Sequence, residues 1–222
     1  MNSSKQRSVR VLIASAFALA IVAFTPHAGA LSFTVPGGLT ASSVGPNDFF
    51  ADGVSRTFLV GPLTLVDLQG ATQATYTFLF QESGFSNQFT ADGATLHDPV
   101  DLFGSVAKTY TSSGAPSFSF GSPLGTVTNA GNNLTEPNFG VLLNSNLGTL
   151  QAGPVRSALE SRGLLKTYDA ILFLNDGGAG QDRDFDDMVL GVNLLAVPEP
   201  GIFAMWAAGL VALGWIGRRR IR

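Results

Sequence analysis

Apolar positions are distributed along this chain in three ways. Near the start, Val11 to Phe24 is an apolar run of 14 residues, interrupted only by Ser15. Near the end, Ile202 to Gly217 is another run without a charge. Between them, short apolar stretches are punctuated by Gly, Pro, Asn and Asp, the residues of turns. Leu31 to Val35 reads as a first strand, stopped by Pro36-Gly37-Gly38. Pro46-Asn47-Asp48 and Ala51-Asp52-Gly53 read as loops, and Arg56 to Val60 and Leu63 to Leu68 as strands around Gly61-Pro62. Thr75 to Gln81 alternates, which places Tyr76, Phe78 and Phe80 on one face and Thr75, Thr77 and Leu79 on the other. A turn over Glu82 to Asn87 leads to Gln88 to Thr90, and further strands are predicted at Val106 to Thr111, Ser117 to Phe120 and Phe139 to Asn144, with a loop at Asn129 to Asn133. One short helix is predicted from Pro154, which suits the first helical position, to Gly163, which suits the C-terminal cap. Val155, Ala158 and Leu159 share its apolar face, and its place is expected at one edge of the sheets. Tyr168 to Leu174 and Met188 to Leu195 are apolar at nearly every position. Such strands belong in the middle of a sheet, covered on both faces or on one by the helix.

This spacing of short strands and Gly-rich turns predicts a mainly β fold: a single β-sandwich, jelly-roll-like, with one short helix. The two apolar runs add an N-terminal signal helix and a C-terminal transmembrane helix. Lys5, Arg7 and Arg10 precede the first run, and Ala28-Gly29-Ala30 follows it with small residues. That order is a secretory signal peptide over residues 1–30, cut after Ala30. It implies the Sec translocon and signal peptidase as partners, and a sandwich domain over residues 31–196. The second run, 202–217, spans ~24 Å as a helix, a little short of a bilayer core of ~30 Å. Flanking residues and local thinning cover such a shortfall. Two prolines in Val197-Pro198-Glu199-Pro200 keep the chain extended before it, and Arg218-Arg219-Arg220 follow it in a basic tail, 218–222, that stops transfer.

A short proline motif, an apolar helix and an arginine cluster, in that order, resemble the PEP-CTERM sorting signal of exported bacterial proteins. The tail of such proteins is sometimes also described as an ice-binding protein C-terminal segment, which says nothing about ice binding by the rest of a chain. The resemblance covers residues 197–222 only. It implies an exosortase that recognises and cleaves the tail, transient anchoring in the inner membrane by the C-terminal helix, and a final place at the cell surface or in an exopolysaccharide matrix or biofilm.

Charge changes the picture of the middle region. The chain carries a net charge of −3, but seven of its 13 Lys and Arg lie in the two end segments. Residues 31–196 hold six basic and 15 acidic side chains, a net of −9. So acidic a surface repels nucleic acid and anionic lipid, and suits divalent cations or simple solubility. There is no cysteine, so neither disulfides nor thiol chemistry contributes. His97 is the only histidine of the middle region, which excludes a zinc site built on His and Cys.

The carboxylates concentrate between the last two predicted strands. Asp176, Asp182, Asp184, Asp186 and Asp187 fall within 12 residues, with Gly177, Gly178 and Gly180 among them. In an extended segment Asp182, Asp184 and Asp186 project to one side and Arg183, Phe185 and Asp187 to the other. The stretch resembles an acidic Asp-x-Asp-(Phe/Tyr)-(Asp/Asn)-Asp segment near the end of several secreted bacterial β-sandwich domains. It reads in two ways: as a calcium loop, since calcium accepts flexible sets of carboxylates, or as a solvated turn with Phe185 tucked into the core. It is no EF-hand, because Asp187 stands where the invariant Gly would be. No catalytic residue is assigned. The function expected is that of an exported, non-enzymatic surface or matrix protein, with a polysaccharide-active enzyme or a carbohydrate-binding module as the alternatives.

Overall fold

The computed structural model describes residues 31–44, 47–66, 68, 70–82, 86–97, 104–177, 184–197 and 205–213. The expected signal peptide, Asp182, Pro198, Glu199, Pro200 and Arg218 to Arg220 lie outside these residues. The fold is mainly β, with every strand pairing antiparallel.

A seven-stranded sheet forms one layer. Its strands in spatial order are β2 (Leu39–Ser42), β3 (Thr57–Val60), β11 (Asn138–Asn146), β12 (Thr167–Asn175), β13 (Met188–Ala196), β5 (Thr72–Phe80) and β8 (Ser105–Tyr110). The second layer has four strands: β10 (Gly125–Thr128), β9 (Phe118–Ser122), β6 (Gln88–Ala91) and β7 (Ala94–His97). A two-stranded piece, β1 (Ser32–Thr34) with β4 (Thr64–Val66), adds Phe33 and Leu65 to the core between the layers. The layers are thus unequal, whereas a jelly roll divides eight strands over two sheets.

Aromatic rings fill the space between the layers. Tyr76 of β5 lies 4.8 Å from Phe89 of β6, and Phe139 of β11 lies 5.5 Å from Phe118 and 5.4 Å from Phe120 of β9, all between ring centroids. Such contacts add ~0.5–1.5 kcal/mol per pair beyond area burial. The two strongly apolar strands, β12 and β13, are central, as their composition predicts. Ala170, Leu172, Leu174, Leu190 and Val192 join this inner core, while Ile171, Phe173 and Val189 join a second buried cluster on the outer face of the same sheet.

That outer face determines where the helix goes. Helix α1 (Pro154–Glu160) buries Leu159 in the cluster with Ile171, Phe173 and Val189, so it covers the sheet's outer face and not its edge. Ile171, Phe173 and Val189 need cover from water, and a short helix with one apolar face supplies it. Phe49, Phe50, Leu147, Leu150 and Phe185 complete the covering layer. Two glycines make the close packing possible. A Cβ on Gly191 would come within 2.4 Å of the Tyr168 ring, and one on Gly140 within 2.6 Å of Phe58.

One expectation within β5 is corrected. Tyr76 and Phe78 face the inner core, but Phe80 packs in the outer cluster, its ring centroid 5.8 Å from that of Phe49. The pairing with β13 shifts between Val189 and Leu190: Leu190 opposes Phe78, whereas Val189 opposes Phe80. Leu79 is the extra residue of a bulge, and a bulge re-aims the side chains that follow it.

Candidate functional site

The strand end beyond that bulge leads to Glu82. Its carboxylate meets those of Asp184 and Asp186, one oxygen from each lying within 4.8 Å of the others. Glu82 is exposed, Asp184 half-buried and Asp186 buried. The turn after Asn47 braces this group from a third segment. Asp186 Oδ2 accepts the backbone N–H of Asp48 at short range and that of Phe49 at 3.4 Å. Asn47 Nδ2 donates to the Asp184 carbonyl at 2.6 Å, and Asn47 Oδ1 accepts the N–H of Phe50 at 3.3 Å. Phe185, between the two aspartates, has φ +63° and is buried against the Phe58 ring at 4.9 Å. It therefore anchors the segment while its neighbours turn to the carboxylate cluster.

The electrostatics follow from burial and like charge. Loss of solvent pushes the Asp186 carboxyl far above the ordinary carboxylate range, and neighbouring Asp184 and Glu82 push it further, against the stabilising Asp48 N–H. The Glu82 carboxyl is also raised, first by desolvation, with Asp48 and Asp184 adding repulsion. Such a group calls for a proton or a cation to offset its charge.

Asp176 and Asp187 belong elsewhere. Asp187 Oδ2 accepts the N–H of Asp176 at 2.8 Å, while Asn87 Nδ2 donates to Asp176 Oδ2 at 3.1 Å and to the Asp187 carbonyl at 3.4 Å. All three side chains are buried, and they tie the start of β6 to the base of the β12–β13 connection. Of the five aspartates singled out in the sequence, two thus meet in the cluster, two form this clasp, and Asp182 lies outside the described residues. Glu82, Asp48 and Asn47 were not recognisable as site residues, because no local spacing ties them to the acidic loop. His97 sits exposed on edge strand β7, opposite Gln88. A cleft of about 560 Å³ opens next to the cluster, between Phe80, Gln81, Val155, Ala158 and Arg162, with Asp48 at its rim.

At the other end of β13, the N–H of Val197 donates to the Ala71 carbonyl at 2.8 Å and ties the start of the tail to the sheet. Residues 205–213 are helical and exposed throughout. Among the described residues no helix is long and apolar enough to cross a membrane, and residues 202–204 and 214–217 of the expected span lie outside them.

The architecture is that of a mainly β domain with a sorting tail fixed directly to its last strand. Comparison with known proteins identifies the tail: residues 196–220 match the family model of the PEP-CTERM protein-sorting motif. The motif implies an exported protein that passes through a membrane-anchored stage and is processed by an exosortase. No curated protein and no solved structure matches the chain.

Proposed function

We propose that residues 31–196 are a non-enzymatic β-sandwich cargo, exported by the Sec route and delivered through the exosortase to the cell surface or exopolysaccharide matrix. The observation that carries this reading is the sorting motif at residues 196–220, which starts where β13 ends. Among the described residues Val197 is the last one hydrogen-bonded to the sheet, so cleavage beyond it leaves the pairing of β13 intact. Residues 202–217 serve as the temporary membrane helix, and Arg218, Arg219 and Arg220 hold its end in the cytoplasm.

One feature weighs against a carbohydrate-binding module. Among the described residues of 31–196 no aromatic ring is exposed, so no stacking platform for sugars is presented. The test replaces Pro198, Glu199 and Pro200 with alanine, which lets helix extend upstream of the span. The variant should accumulate as an uncleaved, membrane-anchored species while the unaltered chain reaches the outer fractions. Equal release of both would contradict the proposal.

A further inference from the structure

The acidic cluster contains, on Asp186, a buried carboxylate oxygen that hydrogen bonding does not account for. Asp186 is 1% exposed, and its Oδ2 is engaged by the amides of Asp48 and Phe49. Its Oδ1 is equally buried and receives no hydrogen bond, beside the carboxylates of Asp184 and Glu82. A buried carboxylate oxygen without a donor is costly to keep. Here its nearest company is two further carboxylates, which can donate nothing when ionised.

The spacing suits a shared ion. Calcium binds oxygen at ~2.3–2.6 Å, so two of its ligands can stand no further apart than about twice that distance. All three carboxylates meet this condition through at least one oxygen each. The ligands come from two segments, Glu82 beyond the bulged end of β5 and Asp184 with Asp186 before β13, and the turn at Asn47 to Phe50 braces the second. Asp184 and Glu82 retain access to solvent, which leaves room for the waters that fill a calcium shell of six to eight oxygens. Magnesium, with its strict octahedron at ~2.0–2.1 Å, fits three carboxylates fixed on two separate segments less well.

We propose that Glu82, Asp184 and Asp186 bind one calcium ion, with the buried Asp186 oxygen as its innermost ligand. Asp176 and Asp187 are not ligands, since their clasp with Asn87 already engages them. The ion pins the covering layer of Phe49, Phe50 and Phe185 to the outer face of the seven-stranded sheet. An exported protein meets calcium at concentrations where extracellular modules, with dissociation constants of ~0.1–1 mM, are filled.

The experiment is equilibrium dialysis with calcium alone on the chelator-treated full-length chain in detergent, together with thermal melts. The unaltered chain should bind one ion in that affinity range, and its melting temperature should rise by several degrees in millimolar calcium. Glu82→Gln, at an exposed position, should weaken binding at least ~10-fold by removing a charged ligand. It should also melt at the same or a higher temperature than the parent in chelator, because it removes repulsion, and should lose the calcium increment. A purely structural role for Glu82 would not reverse the order in this way. Asp184→Asn gives the same readout from a second ligand. No binding up to about 10 mM calcium, unchanged binding by the double variant of Glu82 and Asp184, or equal affinity for magnesium would each overturn the assignment.

Discussion

At the scale of single residues, the fold rests on rings seated where other residues would not fit. Phe185 occupies the left-handed region, which costs a bulky residue on the order of 1–2 kcal/mol. Burial of its side chain against Phe58 returns a comparable ~1.5–3 kcal/mol. The backbone thus holds Asp184 and Asp186 toward the same carboxylate group. The spacing of these two aspartates was legible in the sequence, and so was Phe185 as a core residue. Glu82 was not, because a carboxylate in a turn carries no mark of the distant segment it will face. Asn87 was likewise read as part of a turn, although it clasps Asp176 and Asp187. Gly191 allows a direct test of ring seating. Gly191→Ala would drive a methyl into Tyr168 in the middle of the sheet, where overpacking costs about 1–3 kcal/mol. The midpoint of urea denaturation should fall accordingly with little change in slope, and an unchanged midpoint would mean the ring is not held there.

At the scale of elements, legibility followed burial. β5, β11, β12 and β13 carry strong apolar patterns because they bury side chains on one or both faces. The strands that the pattern did not reveal are β2, β7 and β10, each four residues long with at least half of its residues exposed. All three are edge strands, β2 of the large sheet and β7 and β10 of the small one. An edge strand is specified by the backbone of its neighbour more than by its own side chains, so it leaves a weak periodic signal. The bulge in β5 was hidden for a similar reason, since it is a property of the pairing with β13 and not of either strand alone. The tail is an element whose logic is electrostatic. Replacing Arg218, Arg219 and Arg220 with neutral residues should weaken both retention of its end in the cytoplasm and processing, since a central Arg costs ~2.5 kcal/mol or more on insertion scales. Protease protection of a C-terminal epitope in membrane vesicles reads the topology. Unchanged topology and processing would show the cluster to be dispensable.

At the scale of the whole molecule, the parts agree with an exported protein that carries a sorting signal. The domain has no cysteine and takes its stability from two aromatic-rich clusters on the two faces of one sheet. Its net charge of −9 over residues 31–196 keeps it soluble and favours cations. The sorting motif follows β13 without a linker. On the proposed reading, the domain is a cargo that folds as a unit and needs its tail only in transit. The most direct test of this account is the intact mass of the mature protein from each cell fraction. The account predicts a species in the cell-surface or matrix fraction that begins at Leu31 and ends within or near Val197 to Pro200, with the full tail found only in the inner membrane. A chain that reaches the outer fractions with its C-terminus still at Arg222, or that never leaves the inner membrane, would contradict it.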